Sequence, residues 1–161
     1  MIVHYLDASA WVKRYVREPG SDWIQHLFAQ QPLLARASLG YIEVMATLFR
    51  KSRAGAFDQA QFDRSVQELD RDWEGFIEVH LDTDTLALAT SAVRRTALRG
   101  ADAVHLASAL LLQQRLTNRD DEVLLVAADE ELKSAARASG FTVLDPTEEH
   151  APAQQRSEKP E

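Results

Sequence analysis

Short apolar runs alternate with helical patterns along most of this chain, and that alternation restricts the fold more than any other feature. The runs are "IVHYL" (2–6), "PLLARAS" (32–38), "FIEVHL" (76–81), "DEVLLVAA" (121–128) and "FTVL" (141–144). Most are nearly continuous in apolar residues, the mark of strands covered by helices on both faces. Between them stand "ASAWVKRYVRE", ended by Pro19-Gly20, and "SDWIQHLFAQQ", with a serine cap at Ser21. "LGYIEVMATLFRKSRAG", closed by Gly55, and the mostly solvated "FDQAQFDRSVQELDRDW" follow. "DTDTLALATSAVRRTAL" is amphipathic and is expected to break at Gly100, whereas "ADAVHLASALLLQQR" is apolar almost all round and should be buried. "DEELKSAARASG" closes the series with a glycine at its end. The pattern predicts an α/β fold, a three-layer α/β/α sandwich with a mainly parallel central sheet. One domain over 1–146 accommodates it. From Pro146 onward ("PTEEHAPAQQRSEKPE") apolar residues nearly vanish, so 147–161 is expected to be a disordered tail.

Composition narrows the chemistry. There is no cysteine, which excludes disulfides and thiolate metal sites. No apolar run approaches the roughly 20 residues of a membrane span. The first residues enter a strand with no basic region or signal-peptide core, so a cytoplasmic location is expected. A net charge of −7 argues against a protein that coats nucleic acid through a global basic surface. It does not argue against a site made of carboxylates, which is itself acidic until a cation fills it.

Open parallel sheets bind ligands beyond the carboxyl ends of their strands. Asp7 follows the first strand and Asp129 follows "LLVAA", so both should lie at one edge of the sheet. Each also stands where a helix begins, and aspartate is a favoured N-cap. Asp102 sits in the first turn of the most apolar helix, where the helix dipole favours negative charge. Glu43 differs, because it falls mid-helix in "SLGYIEVMATLF", beyond any capping position. Spacing from Leu39 through Ile42, Ala46 and Phe49 places it on or beside an apolar stripe. Carboxylates rarely face a core unless they are paired or bound to a cation. Four such acids converging would repel one another, and Mg²⁺ or Mn²⁺ with oxygen ligands is the natural compensation.

With these segments in view, the sequence resembles the PIN-domain nucleases, in particular the VapC-type toxins of prokaryotic toxin–antitoxin pairs. The resemblance rests on "YLDASAWVKRY", "SLGYIEVMATLFR", "LRGADAVHLASAL" and "LLVAADEELKSAARASGFTVLDP", in that order, covering residues 2 to about 146. It implies an acidic pocket of Asp7, Glu43, Asp102 and Asp129 that binds Mg²⁺ or Mn²⁺. A water activated by the ion would then attack an RNA phosphodiester without a histidine base. Ser9 matches a small hydroxyl residue of that pocket. One departure is Ala127, where family members often carry Ser or Thr; Glu130 or Glu131 stand nearby as substitutes. The resemblance also implies an RNA substrate, a cognate antitoxin and a homodimer.

Remaining features have two explanations each. His105 lies three residues after Asp102 and either orients a carboxylate or is a hydrogen-bonded core histidine. His4, His26 and His80 lack metal-ligand spacing. Arg94, Arg95 and Arg99 either meet RNA phosphates at the pocket rim or serve as helix C-terminal cations. Lys13, Arg14 and Arg17 form a second basic patch. Trp11, Tyr15, Trp23 and Phe28 are expected mainly in the core. A signalling receiver domain would need an adjacent acidic pair after the first strand, and a haloacid-dehalogenase-like phosphatase an aspartate where Ser9 stands. A PIN fold without catalysis, serving RNA binding or assembly, and a stand-alone RNA-processing nuclease are the closer rivals.

Overall fold

The computed structural model describes residues 1–148; most of the segment expected to be a disordered tail lies outside the described residues. Five strands form one sheet: β1 (Ile2–Leu6), β2 (Leu33–Ala37), β3 (Ile77–Val79), β4 (Glu122–Val126) and β5 (Thr142–Leu144). All neighbours are parallel, in the order β3-β2-β1-β4-β5. The order reverses direction between β1 and β4, so a crevice opens past their carboxyl ends, the usual ligand position in such sheets.

Seven α-helices among the described residues cover both faces. α1 (Ala8–Trp11), α2 (Ser21–Ala29), α3 (Ser38–Arg53) and α4 (Gln59–Gly75) lie on one side, sharing a core with Leu6, Leu34 and Val126. α5 (Thr83–Arg95), α6 (Gly100–Arg115) and α7 (Glu130–Ala138) lie on the other, against Val3, Tyr5, Ala35, Val123 and Leu125. Successive strand residues thus enter opposite cores, as the two-residue repeat of a strand requires. This is the expected α/β/α sandwich. The all-apolar helix is α6, buried from Ala103 to Ala109.

Several local expectations change. "ASAWVKRYVRE" is not one helix: α1 tightens into a 3₁₀ turn over Val12–Arg14, where Tyr15 and Val16 both donate to Val12 O. Ser21 is not the cap of α2. Gly20 holds that position with φ of +92°, and a Cβ there would lie 2.9 Å from Pro146. The Ser21 hydroxyl instead donates to Val16 O (2.8 Å) and accepts from Glu18 N (3.0 Å), tying down the preceding turn. Gly100 does not break α5; Thr96 closes that helix and Gly100 opens α6.

The stripe expected on α3 is also rotated. Gly40, Val44 and Leu48 are its buried residues, while Ile42 is 57% and Phe49 52% exposed. Gly40 faces Trp11 and His105: a Cβ there would sit 3.6 Å from both, an ordinary van der Waals contact, and a bulkier side chain would push them away.

Two buried cations escaped the sequence analysis. Arg36 at the end of β2 is 1% exposed, with its guanidinium over the Trp73 ring, donating to Trp73 O. Burial holds its pKa down to about 10. Lys133 on α7 reaches Asp145, Glu130 and Glu148, fastening the residues after β5 to that helix.

α4 docks through Trp73, which stacks on Trp11 and meets Tyr41 and the Arg36 guanidinium. It starts with a reciprocal capping box between Asp58 and Gln61, and Leu69 is its one fully buried residue. Leu69→Ala should therefore cost about 2–5 kcal/mol, within the range for buried leucines. A fall in the urea unfolding midpoint without a change of slope is the expected result.

Candidate active site

Four carboxylates arrive at the crevice from four different elements. Asp7 ends β1 and caps α1, its Oδ1 accepting from Ala10 N at 3.0 Å. Its own N–H donates to Val126 O, prolonging the β1–β4 pairing by one step. Asp129 follows β4 and caps α7, accepting from Leu132 N at 2.9 Å. Asp102 stands in the first turn of α6. Glu43 projects from the middle of α3. All four line one cleft of about 680 Å³. Asp7 and Asp129 are caps in form, yet capping uses one oxygen of each; Oδ2 of Asp7 meets the Ser9 hydroxyl and Oδ2 of Asp129 faces Arg99.

Two of the acids have a side-chain neighbour that fixes them. The Ser9 hydroxyl lies 2.9 and 2.7 Å from the two Asp7 oxygens and accepts from Ala128 N at 3.0 Å. It thereby ties the ends of β1 and β4 together beside the buried Ala127, which offers no hydroxyl. His105 is 1% exposed and donates from Nε2 to Glu43 Oε2 at 2.6 Å, while Nδ1 lies 3.0 Å from the Tyr5 hydroxyl. It is both things the sequence allowed: a buried core histidine and an orienting group. The carboxylate it holds is Glu43 on the neighbouring helix. Asp102, its neighbour along α6, is not the one hydrogen-bonded.

The electrostatics are unfavourable for a site of acids alone. Burial pushes the Asp7 carboxyl up, against the pull of His105, Ser9 and the Ala10 N–H. Burial and then the charge of Asp129 push Asp102 up, opposed by Arg99. Burial alone would lower the His105 pKa, but the Glu43 hydrogen bond and the charges of Asp7, Glu43 and Asp102 outweigh it, and the net shift is upward. Arg99 bridges two acids weakly, with Nε 3.4 Å from Asp102 and Nη2 3.8 Å from Asp129, and its side chain is 76% exposed. This donor set, all oxygen and short of positive charge, suits a hard divalent cation.

A tighter acid group exists elsewhere: Glu130, Asp145 and Glu148 have ligand oxygens within 4.8 Å of one another. The Lys133 ammonium sits among them and already supplies their cation. Neither Glu130 nor Glu131 lines the cleft, so neither stands in for the hydroxyl missing at Ala127.

Of the three arginines singled out in sequence, Arg99 lines the cleft; Arg94 and Arg95 are exposed on the last turn of α5 and do not. Of the second basic patch only Lys13 does, while Arg14 pairs with Asp72 and Arg17 with Asp22. Arg50 and Lys51 line it too and were missed. They stand two turns beyond Glu43 on α3, so helical periodicity could have found them.

A parallel sheet with this strand order and an acidic crevice at its switch point defines a PIN-domain protein. The chain is 36% identical over 151 residues to each of two curated Mycobacterium tuberculosis proteins, ribonuclease VapC45 and ribonuclease VapC49; the alignments cover 88% of this chain and 97% of each relative. It belongs to the VapC ribonuclease family. No protein-family model matches it. Its fold is similar to a toxin–antitoxin complex from Klebsiella pneumoniae (TM-score 0.60, 18% identity, 89% of this chain and 97% of that one). It is likewise similar to VapBC2 from Rickettsia felis bound to promoter DNA (TM-score 0.60, 12% identity, 89% and 98%). Among the described residues no helix is long and apolar enough to cross a membrane.

Asp7→Asn keeps the cap to Ala10 and removes one buried charge, so it should stabilise the metal-free protein by roughly 0.5–2 kcal/mol. Native Asp7 and Asp102 carry raised folded-state pKa values, so between the unfolded and folded values the folded chain holds the extra proton. Stability of the metal-free protein should therefore rise as pH falls through the folded values toward the unfolded carboxylate range. The raised His105 acts in the same direction, complete below the unfolded imidazole value of about 6.5 and lost as pH rises through its folded one. Thermal unfolding across pH, with and without the substitution, checks both points.

Proposed function

We propose that this cleft hydrolyses RNA phosphodiester bonds and that the chain is the toxin of a VapBC-type toxin–antitoxin pair, with residues 1–146 as its catalytic domain. The observation that carries the reading is the convergence of Asp7, Glu43, Asp102 and Asp129 from four elements on one crevice, with too little positive charge to balance them. Asp7, Glu43 and Asp102 would hold a Mg²⁺ or Mn²⁺ ion, and Asp129 would complete the site. Such a cation lowers the pKa of water and offsets the charge developing on the phosphate.

The protein's own groups orient and exclude. Ser9 locks the Asp7 carboxylate, and the Tyr5–His105 pair locks that of Glu43. His105 has both ring nitrogens engaged and is buried, so it is a positioning residue and exchanges no proton with substrate. Arg99 holds its two acids loosely enough to turn toward a substrate phosphate. The structurally similar toxin–antitoxin and VapBC assemblies support an antitoxin partner for this chain. A homodimer and a cytoplasmic location belong to the same reading.

Ala127 favours a second reading, a PIN module that binds RNA without cutting it. The test is incubation of purified, partner-free protein with cellular RNA in Mg²⁺ or Mn²⁺, beside chelator and Asp7→Asn controls. Cleavage abolished in both controls is the expected result, with the variant reducing the rate at least about a hundredfold, as loss of a group acting on developing charge does. Binding of RNA and metal without cleavage would sink the nuclease and leave the module.

A further inference from the structure

The cleft changes sign along its length. Its inner end carries the four acids, and its other wall carries Lys13, Arg50 and Lys51 with a single acid, Glu18. Lys13 is 7% exposed and donates to Glu18 Oε1 at 2.9 Å; Lys51 lies 3.4 Å from Oε2 of the same carboxylate. One carboxylate therefore serves two ammonium groups. Arg50 donates to the Thr47 hydroxyl at 2.9 Å and lines the cleft. The wall carries three cations against one anion, facing the acidic floor across the same opening.

α3 supplies both ends of this dipole. Glu43, Thr47 and Arg50 follow at four- and three-residue steps, so they share one helix face. At 1.5 Å per residue, Arg50 lies about 10 Å along the axis from Glu43. A phosphate held at the acidic floor could not touch this wall at the same time. A chain of phosphates could occupy both.

We propose that Lys13, Arg50 and Lys51 form a phosphate-binding wall that grips a non-scissile phosphate of single-stranded RNA and sets the strand's path over the acidic floor. This rests on the nuclease reading of that floor. Glu18 holds the two lysines in place and offsets one of the wall's three charges. The occupant is a polyanionic strand because the cations line a cleft and are spaced along a helix.

The test uses the Arg50→Ala/Lys51→Ala double variant, since these side chains are more exposed than Lys13 and their loss leaves the core intact. An Arg119→Ala/Arg137→Ala variant removes the same charge from exposed positions that do not line the cleft. Binding of a fluorescein-labelled pool of 12-nucleotide single-stranded RNA is followed by anisotropy in chelator, over a range of salt. Mn²⁺ binding by each protein is measured separately by calorimetry. The cleft variant should bind RNA on the order of tenfold more weakly, with the salt slope reduced by about 0.7 for each phosphate that the wall no longer neutralises. Its Mn²⁺ affinity should equal that of the wild type, and the control variant should keep the wild-type slope. RNA affinity and slope unchanged by the cleft substitutions, with Mn²⁺ still bound, would overturn the wall while sparing the floor, leaving the wall to an acidic protein segment. A wild type that binds neither Mn²⁺ nor RNA would overturn the nuclease reading and the wall with it.

Discussion

Repulsion among carboxylates gathered at the β1–β4 crevice is the constraint to which much of the surrounding structure answers. Burial disfavours the charged form of Asp7, and Asp129 adds to the same effect at Asp102. The fold offsets this with local devices of small individual worth: two helix caps, one serine hydroxyl, one buried histidine and one exposed arginine. None cancels the excess.

The devices also explain how the geometry is held. Asp7 and Asp129 are fixed because each begins a helix, so the backbone itself orients the carboxylate. Glu43 has no such support and instead depends on His105, which depends on Tyr5 in β1. That chain of interactions runs from the sheet through α6 to α3. It joins elements that are distant in sequence, and it requires the small residue at Gly40 to let Trp11 and His105 approach α3.

Much of the fold was legible in the sequence because a parallel sheet covered on both faces leaves a strong local trace. All five strands and the buried α6 follow from apolar runs and their punctuation. Asp7, Asp102 and Asp129 were legible because strand ends and first helical turns are places where position alone implies a shared edge; Glu43 stood out as a mid-helix carboxylate that capping does not explain. What failed was orientation. The apolar residues of α3 pointed to Leu39, Ile42, Ala46 and Phe49, yet the helix buries the Gly40–Val44–Leu48 face, because the face packed near Trp11 and His105 carries a glycine that hydropathy counts as nothing. Lys133 and Arg36 were missed for the converse reason: a charged residue reads as solvated until its buried partners are known.

By itself the sequence determined the α/β class, the order of elements and the placing of acids at helix starts, since these depend on residues close along the chain. Only the tertiary structure decided that His105 grips Glu43, that Lys13 joins Arg50 and Lys51 on one wall, and that Lys133 gathers three acids of its own. Each of these unites charges from separate elements, and the free energy of bringing charges together depends on burial and distance, which no local pattern carries.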